Sequence, residues 1–299
     1  MVLRVLSSLV VFAVFLLVGC RSAPPPAPIP PAVTMAQRAE EQAVRLSREQ
    51  QNWPAAVRAW QLAADRFSLL NELEGEAVAL HNLAQAERQL DQTEQAQRHL
   101  EQAASLNEKT GRTNEWWRNQ IALLQLEAQT GKAQRLKARF EKLLPLASRL
   151  TSHSLHGLFL NEVGLWQKNQ GQFSEATSSF AQAEENFKSA HDSFGVATVT
   201  ANRAGLYEQR QNYASAIPLW KAALAQFQTL RDPEGIAAAL AGQGRCLLSA
   251  NQDLPAAEDL LRRAARNYRL LQKTTPAQAT QELLARCLTA QGKKSDGER

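Results

Sequence analysis

The chain has 299 residues and a formal net charge of +5, because 34 Lys and Arg residues face 29 Asp and Glu residues. So small a basic excess does not require nucleic acid as a partner. Hydrophobic residues make up 44% of the chain, which allows a sizeable core, and no run of alternating β-branched residues predicts a strand. We therefore predict an all-α body.

Residues 1–19 have the pattern of a secretion signal. Arg4 is the only charge before Cys20, and the segment from Val5 to Val18 is apolar apart from two serines. A membrane-spanning helix needs about 20 apolar residues, and this run is about six short of that. We therefore predict that residues 1–19 are a signal peptide rather than a membrane span.

The sequence Leu17-Val18-Gly19-Cys20 resembles the lipobox of bacterial lipoproteins. The resemblance implies that the Cys20 thiol receives a diacylglycerol, that the bond before it is cut, and that the new amino terminus is acylated. Two or three acyl chains would anchor the protein firmly. In the family's sorting rule an aspartate after this cysteine retains the protein at the inner membrane; Arg21 stands there, which favours the periplasmic face of the outer membrane. An ordinary signal peptide that ends in a structural cysteine is the alternative.

Residues 20–34 contain the lipidated cysteine and a proline-rich stretch with almost no bulky side chains. Such a segment cannot form a core and favours polyproline II, with a rise of about 3.1 Å per residue. We predict a semi-rigid tether that reaches roughly 40 Å and holds a folded body away from the membrane.

Small residues recur at intervals of 40 along the rest of the chain. The alanine series consists of Ala56, Ala96, Ala176, Ala216 and, displaced by one residue, Ala257. Large apolar residues stand four positions later, at Trp60, Leu100, Phe140, Phe180, Trp220 and Leu261. A small or aliphatic series precedes the alanines, at Val44, Ala84, Leu124, Gly164, Ala204 and Gly244. This register predicts helical hairpins in which small residues let two helices approach and a large residue fills the gap.

These columns resemble the tetratricopeptide repeat, which sets a small residue at position eight, an alanine at position twenty and an aromatic residue at position twenty-four. The resemblance implies a right-handed solenoid over residues 35–291, with about six hairpins and a C-terminal capping helix. The period of 40 exceeds the family's usual 34, so the second helix or a connection should be longer. HEAT or armadillo repeats are the alternative. Residues 292–299 are predicted to be a disordered tail.

Four prolines bear on the helix boundaries. Pro145 and Pro218 fall inside predicted second helices and should kink or shorten them. In contrast, Asp253 before Pro255 and Thr275 before Pro276 predict an N-cap followed by a first-turn proline.

No residues have the spacing of a catalytic, metal or cofactor site, so we predict neither an enzyme nor a cofactor. His153 and His156 lack a Cys, Asp or Glu at a zinc-like interval, which favours an ordinary polar contact. Trp116 and Trp117 are predicted to belong to the core, with a ligand platform as the alternative. The competing hypothesis is an envelope enzyme or a cell-wall polysaccharide-binding protein that uses these histidines and tryptophans.

Cys246 and Cys287 hold the same register position on neighbouring helices. Stacked helices lie about 8–10 Å apart, whereas a disulfide needs Cα atoms within about 7 Å. We therefore predict two buried free thiols.

Positions two, five, nine and twelve of each first helix point away from the packed face. The resemblance implies that they line a concave surface that binds a peptide segment of a protein partner. The candidate partner-binding residues are Arg45, Arg48, His81, Gln85, Arg88, Gln125, Asn161, Leu165, Lys168, Arg245 and Leu248, with Ala201, Gly205 and Ala241 beside them. This order predicts a groove that begins cationic and becomes apolar, suited to an acidic segment followed by apolar anchors.

The convex face carries a basic stripe, Arg262, Arg263, Arg266 and Arg269. Solvated surface is the favoured interpretation, and contact with an acidic partner or an anionic cell-wall polymer is the alternative.

Together these features predict an outer-membrane lipoprotein whose solenoid is a non-catalytic protein-binding scaffold. Its membrane contact would be the lipid anchor, and nucleic acid would not be a partner. Family analogy offers three settings: secretin or pilus assembly, regulation of peptidoglycan synthesis, and outer-membrane protein assembly. The fold does not select among them.

Overall fold

Helices fill nearly all of residues 30–293, the part of the chain that the computed structural model describes. The elements are α1 (Pro31–Arg48), α2 (Trp53–Leu69), α3 (Leu73–Arg88), α4 (Thr93–Lys109), α5 (Thr113–Gln129), α6 (Ala133–Leu143), a 3-10 helix (Leu144–Arg149), α7 (His153–Asn169), α8 (Phe173–Ser189), α9 (Ser193–Gln209), α10 (Tyr213–Leu230), α11 (Pro233–Ser249), α12 (Leu254–Leu270) and α13 (Thr274–Ala290). The predicted signal peptide, Cys20, most of the tether and residues 294–299 of the predicted tail lie outside the described residues. The tail was predicted to begin at Gly292, but Gly292 and Lys293 are ordered, and Lys293 Nζ lies 2.8 Å from Glu258 Oε2.

Consecutive helices pack as six hairpins, from α1 with α2 to α11 with α12, and α13 packs on α12 at the open end. This confirms the predicted all-α solenoid with a capping helix. In the fourth hairpin α7 and α8 have 17 residues each, and three residues join each helix to the next. The two helices are therefore equally long, and short connections complete the 40-residue period.

Helix α1 begins earlier than predicted, because it starts at Pro31 inside the segment assigned to the tether. A proline in the first turn loses no helical hydrogen bond, since the N–H groups there have no partner within the helix. Three alanines of α1 are buried: Ala36, Ala39 and Ala43. Residues 31–34 thus form the first turn of α1 rather than part of an extended tether.

In the described part of the chain, nearly every helix is followed within two or three residues by a residue with left-handed backbone geometry. Glycine takes this position at Gly111, Gly131, Gly171 and Gly292, but elsewhere it is filled by Gln51, Asn71, Asp91, His191, Gln211, Arg231, Asn251 and Gln272. After Gln211 the N–H of Asn212 bonds to the carbonyl of Tyr207 at 2.9 Å. This is the Schellman arrangement, which satisfies carbonyls that the helix end would leave free.

The predicted small and large columns meet inside each hairpin. A Cβ added to Gly164 would lie 2.7 Å from the Phe180 ring, and one added to Gly244 would lie 2.9 Å from Leu261. The alanines of the predicted series are fully buried. The hairpins therefore close as the register predicts, with a large side chain seated on a residue that has little or no side chain.

A second column packs one hairpin on the next and was not recognised in the sequence. Phe67, Phe187 and Phe227 each press on a glycine of the following helix, at Gly75, Gly195 and Gly235. Tyr268 holds the same register position, and these four aromatic residues are at most 9% exposed. We call them the junction aromatics.

The two predicted proline effects differ in outcome. Helix α6 stops at Leu143 and continues as a 3-10 helix with Pro145 in its first turn, so this second helix is shortened as predicted. Helix α10 runs 18 residues through Pro218, so Pro218 does not shorten this helix. Pro218 is the sixth residue of α10, so its missing N–H leaves the carbonyl of Ala214 without its usual helical partner.

The N-cap predictions also differ. Asp253 caps α12 by accepting a hydrogen bond from the Ala256 N–H at 3.2 Å. Helix α13 instead begins at Thr274, so Thr275 lies within its first turn and is not the cap.

Two further features concern the described residues alone. Within residues 30–293, no helix has both the length and the apolar character that a membrane span requires. Cys246 and Cys287 are buried free thiols, as predicted, and burial raises the pKa of Cys246 to about 12.

Candidate binding groove

The first helices of successive hairpins line the inner face of the solenoid. Side-chain hydrogen bonds join α3 to α5, α5 to α7, α7 to α9 and α9 to α11. Backbone contacts between successive second helices are sparser in the described part of the chain. Because the first helices are the closer set, their free faces form the concave surface, which we call the groove.

The groove begins with two arginines that have no partner among the described residues, and it continues with amide and imidazole groups. Arg45 and Arg48 are exposed on α1. On α3, Arg88 donates to Gln85 Oε1 at 3.2 Å, and His81 Nδ1 lies 2.6 Å from Asn119 Oδ1 of α5. Burial lowers the pKa of His81 although the contact with Asn119 opposes this shift, so the neutral imidazole is favoured.

A buried carboxyl lies at the centre of the groove. Glu162 Oε1 of α7 accepts from Gln125 Nε2 at 3.1 Å and from Asn161 Nδ2 at 3.5 Å. Asn161 in turn accepts from Asn202 of α9 at 2.7 Å. Burial raises the pKa of Glu162, although these hydrogen bonds and the charge of Arg88 oppose the shift.

The far half of the groove contains an ion pair between neighbouring hairpins. Arg245 Nη2 of α11 donates to Glu208 Oε2 of α9 at 2.8 Å, and this bond raises the pKa of Arg245. Burial lowers the pKa of Lys168, which also faces the charges of Glu208 and Arg245. Leu165 and Leu248 are half-buried and pack against the core.

The groove does not simply change from cationic to apolar along its length, as predicted, because it also contains two acidic residues, Glu162 and Glu208. Glu208 occupies position twelve of the fifth repeat, where Arg48, Arg88 and Lys168 stand in others. That register position could have revealed it. Glu162 occupies position six, which the prediction assigned to neither face. The groove is cationic on α1 and largely charge-paired from α7 onward.

The winding of the solenoid brings distant turns to one edge of the groove. A cavity of about 1060 Å³ lies between the turn after α3 and the connections before α11 and α13. Its charged lining includes Arg88, Asp91, Asp232, Glu234 and Lys273. Lys273 Nζ lies 3.2 Å from a Glu234 carboxylate oxygen. The edge of the groove is thus an opening with charges of both signs.

The histidines and tryptophans of the competing hypothesis, an envelope enzyme or polysaccharide-binding protein, lie apart from the groove. His153 Nδ1 is 3.2 Å from Asn186 Oδ1 within the fourth hairpin, and burial lowers the pKa of His156. Trp117 is 1% exposed and belongs to the core, while Trp116 is half-buried. Among the described residues, no group of three His, Cys, Asp or Glu side chains could hold a metal ion.

The basic stripe lies exposed on α12. Arg262 Nε lies 3.0 Å from a Glu258 carboxylate oxygen, and Arg263 Nη1 lies 3.2 Å from Asp259. Acidic residues one turn earlier in the helix therefore partly neutralise the stripe.

The fold and groove define an α-helical solenoid of the tetratricopeptide type. A model of the tetratricopeptide repeat family matches residues 195–269, from the start of α9 to the end of α12. No curated protein matches the chain.

Solved structures similar to this chain share the solenoid over most of its length. A Rap protein complexed with Competence and Sporulation Factor superposes with a TM-score of 0.62 at 16% identity, covering 87% of this chain and 77% of its own. The apo form of RapI superposes with a TM-score of 0.61 at 13% identity, covering 86% of this chain and 97% of its own. The apo form of the quorum sensor NprR from B. thuringiensis superposes with a TM-score of 0.61 at 12% identity, covering 86% of this chain and 77% of its own. At such low identity these similarities concern the fold alone.

Proposed function

We propose that the protein is a non-catalytic scaffold whose groove binds a segment of a protein partner. The observation that carries the proposal is the chain of polar contacts from His81 to Arg245, which fixes the first helices in register while Arg45 and Arg48 remain without partners among the described residues. A preorganised surface of this kind loses little entropy on binding. The Rap structure solved with a bound factor supports this use of a similar solenoid.

The partner's chemistry follows from the charges. The α1 end of the groove attracts an acidic portion because its two arginines have no partner in residues 30–293. From α7 onward the charges are mostly paired internally, so that part favours backbone and amide hydrogen bonds over further ion pairs.

The proposed location rests on sequence residues 1–34. Acylation at Cys20, with Arg21 after it, would place the solenoid on the periplasmic face of the outer membrane. There the scaffold would act in an envelope complex: secretin or pilus assembly, regulation of peptidoglycan synthesis, or outer-membrane protein assembly.

In-cell photo-crosslinking tests the binding surface. A photoreactive residue replaces Gln85 in the groove or, as the matched control, exposed Arg266 on the convex face. We expect a discrete adduct from position 85 and none from position 266, and mass spectrometry would identify the partner. Equal adducts from both positions, or an adduct from position 266 alone, would contradict the groove as the binding surface.

A further inference from the structure

A cleft opens between α4 and α5, where Asn107 of α4 stands in the place of a junction aromatic. The facing residue of α5 is Glu115, whereas Gly75, Gly195 and Gly235 hold this position at three other junctions. A cavity of about 260 Å³ remains between α4, α5 and the 3-10 helix. Because Pro145 ends α6 early, the 3-10 helix carries Leu146 and Arg149 past this gap.

Asn107 supplies an unsatisfied polar group to the cleft. Its side chain is 3% exposed and lines the cavity, and its Oδ1 is buried with no hydrogen-bond partner in the part of the chain that the structure describes. Buried amides almost always have partners, because an unpaired one loses its hydration without compensation. Because this oxygen has almost no accessible surface, a ligand hydroxyl or N–H group would satisfy it only after the side chains around it move apart.

Trp116 forms the apolar wall of the cleft, and the buried Trp117 supports it from behind. Trp116 and Trp117 both line the cavity, and their rings meet edge to face with centroids 5.3 Å apart. The contact with buried Trp117 fixes the half-buried Trp116 ring, so the wall is preformed.

The rim carries charge of both signs and leads to a second space. Glu108 and Arg149 are exposed at the rim. Arg149 makes no ion pair within residues 30–293, and it also lines a neighbouring cavity of about 470 Å³ that contains Arg112 and Thr151. The two spaces share Arg149, so an elongated ligand could occupy both with an anionic group at its guanidinium.

We infer that this cleft binds an acidic saccharide. A cavity of this size suits one sugar ring rather than a drug-sized ligand. The apolar face of the ring would rest on the tryptophan wall, its hydroxyls would pair with the Asn107 amide and Glu108, and its carboxylate would meet Arg149. Hydroxyls both donate and accept, so a sugar uses all of these groups, whereas an aromatic side chain would use one at most.

The test titrates the full chain in detergent micelles with three sugars, by calorimetry and tryptophan fluorescence. The disaccharide of N-acetylglucosamine and N-acetylmuramic acid and the disaccharide digalacturonate represent the two sources of acidic sugar, and chitobiose is the neutral reference. We expect at least one acidic disaccharide to bind about tenfold more tightly than chitobiose. The one that binds identifies the source.

Two variants and one control locate the binding. Asn107→Phe restores the missing junction aromatic and should abolish binding, and Arg149→Gln at an exposed position should reduce affinity about tenfold. Arg135→Gln, at an exposed arginine outside the cleft, should change nothing. No saturable binding up to about 10 mM, or undiminished binding by Arg149→Gln or Asn107→Phe, would overturn the inference. It is independent of the groove.

Discussion

The ring of Phe187 covers Gly195 so closely that a Cβ added to the glycine would lie 2.3 Å from Cδ1 of the ring. Contacts of a real Cβ do not fall below 3.0 Å. Gly195 also donates its N–H to the Asp192 side chain at 2.8 Å, which caps α9. The glycine is therefore needed for the close approach of two hairpins and not for an unusual backbone angle.

Two alanine substitutions in α9 should have opposite effects on stability. Gly195→Ala forces the buried Phe187 ring to move and should destabilise the protein by about 1–3 kcal/mol. Gly205→Ala meets nothing nearer than 3.9 Å and removes a flexible residue from a helix interior, so it should stabilise by about 0.5–1 kcal/mol. Chemical denaturation measures both, and a loss of stability in both variants would contradict this account.

A second pair of substitutions tests the turn residues that have left-handed backbone geometry. Gln211 has φ of 57° and Gly171 has φ of 74° at the same place in the repeat. Gln211→Gly should stabilise by about 1 kcal/mol, because a side chain there is strained. Gly171→Gln should destabilise by a similar amount. Thermal unfolding of both proteins checks the sign, and a destabilised Gln211→Gly would show that the Gln211 side chain contributes more than the strain costs.

The sequence predicted the hairpins because each depends on a local register, such as Gly164 against Phe180. It did not predict the junction aromatics, since Phe187 and Gly195 are joined by a turn and look like unrelated residues until the helices are placed. The charge pattern of the groove was predicted only in part. Glu208 lay in the scanned register, but the burial of Glu162 depends on the helices that surround it.

Glu162 should make stability depend on pH. Its raised pKa, due first to burial, means that the folded state binds a proton more tightly than the unfolded state. This contribution to stability is present at low pH and is lost as the pH rises through the folded pKa. Glu162→Gln keeps an oxygen for Gln125 and removes the buried charge, so it should raise Tm by about 2 °C or more at pH 8 and much less at pH 4.

As a control, Glu184→Gln should change the pH dependence of stability in the opposite direction. Burial opposes the ionisation of Glu184, but Lys188 and Arg203 outweigh it and hold its pKa below the usual value. Its contribution to stability is present above the unfolded pKa and lost as the pH falls through the folded pKa. Glu184→Gln should therefore lower Tm at pH 8 and have less effect at low pH. Identical pH profiles for the two variants would contradict the assignments.

Cys20→Ala should release the protein from the membrane without unfolding the solenoid. The expectation rests on the lipobox resemblance and on the position of Cys20 in the sequence, ahead of Pro31 where α1 begins. Cell fractionation measures the release, and circular dichroism checks the fold. If a palmitate analogue fails to label the unaltered protein, Cys20 is not acylated.

The final prediction concerns the α1 end of the groove and uses two matched charge reversals. Arg45→Glu with Arg48→Glu changes two exposed arginines three residues apart in the groove, and Arg266→Glu with Arg269→Glu does the same on the convex face of α12. Both pairs fall toward helix carboxyl ends, where acidic residues cost a similar small amount of stability. Once a partner is identified, the groove pair should weaken its binding at least tenfold and reduce the dependence of affinity on salt, because attraction for an acidic segment becomes repulsion. The convex pair should bind as the unaltered protein does. If the convex pair abolishes binding while the groove pair leaves affinity intact, the partner uses the outer face and the groove assignment is wrong.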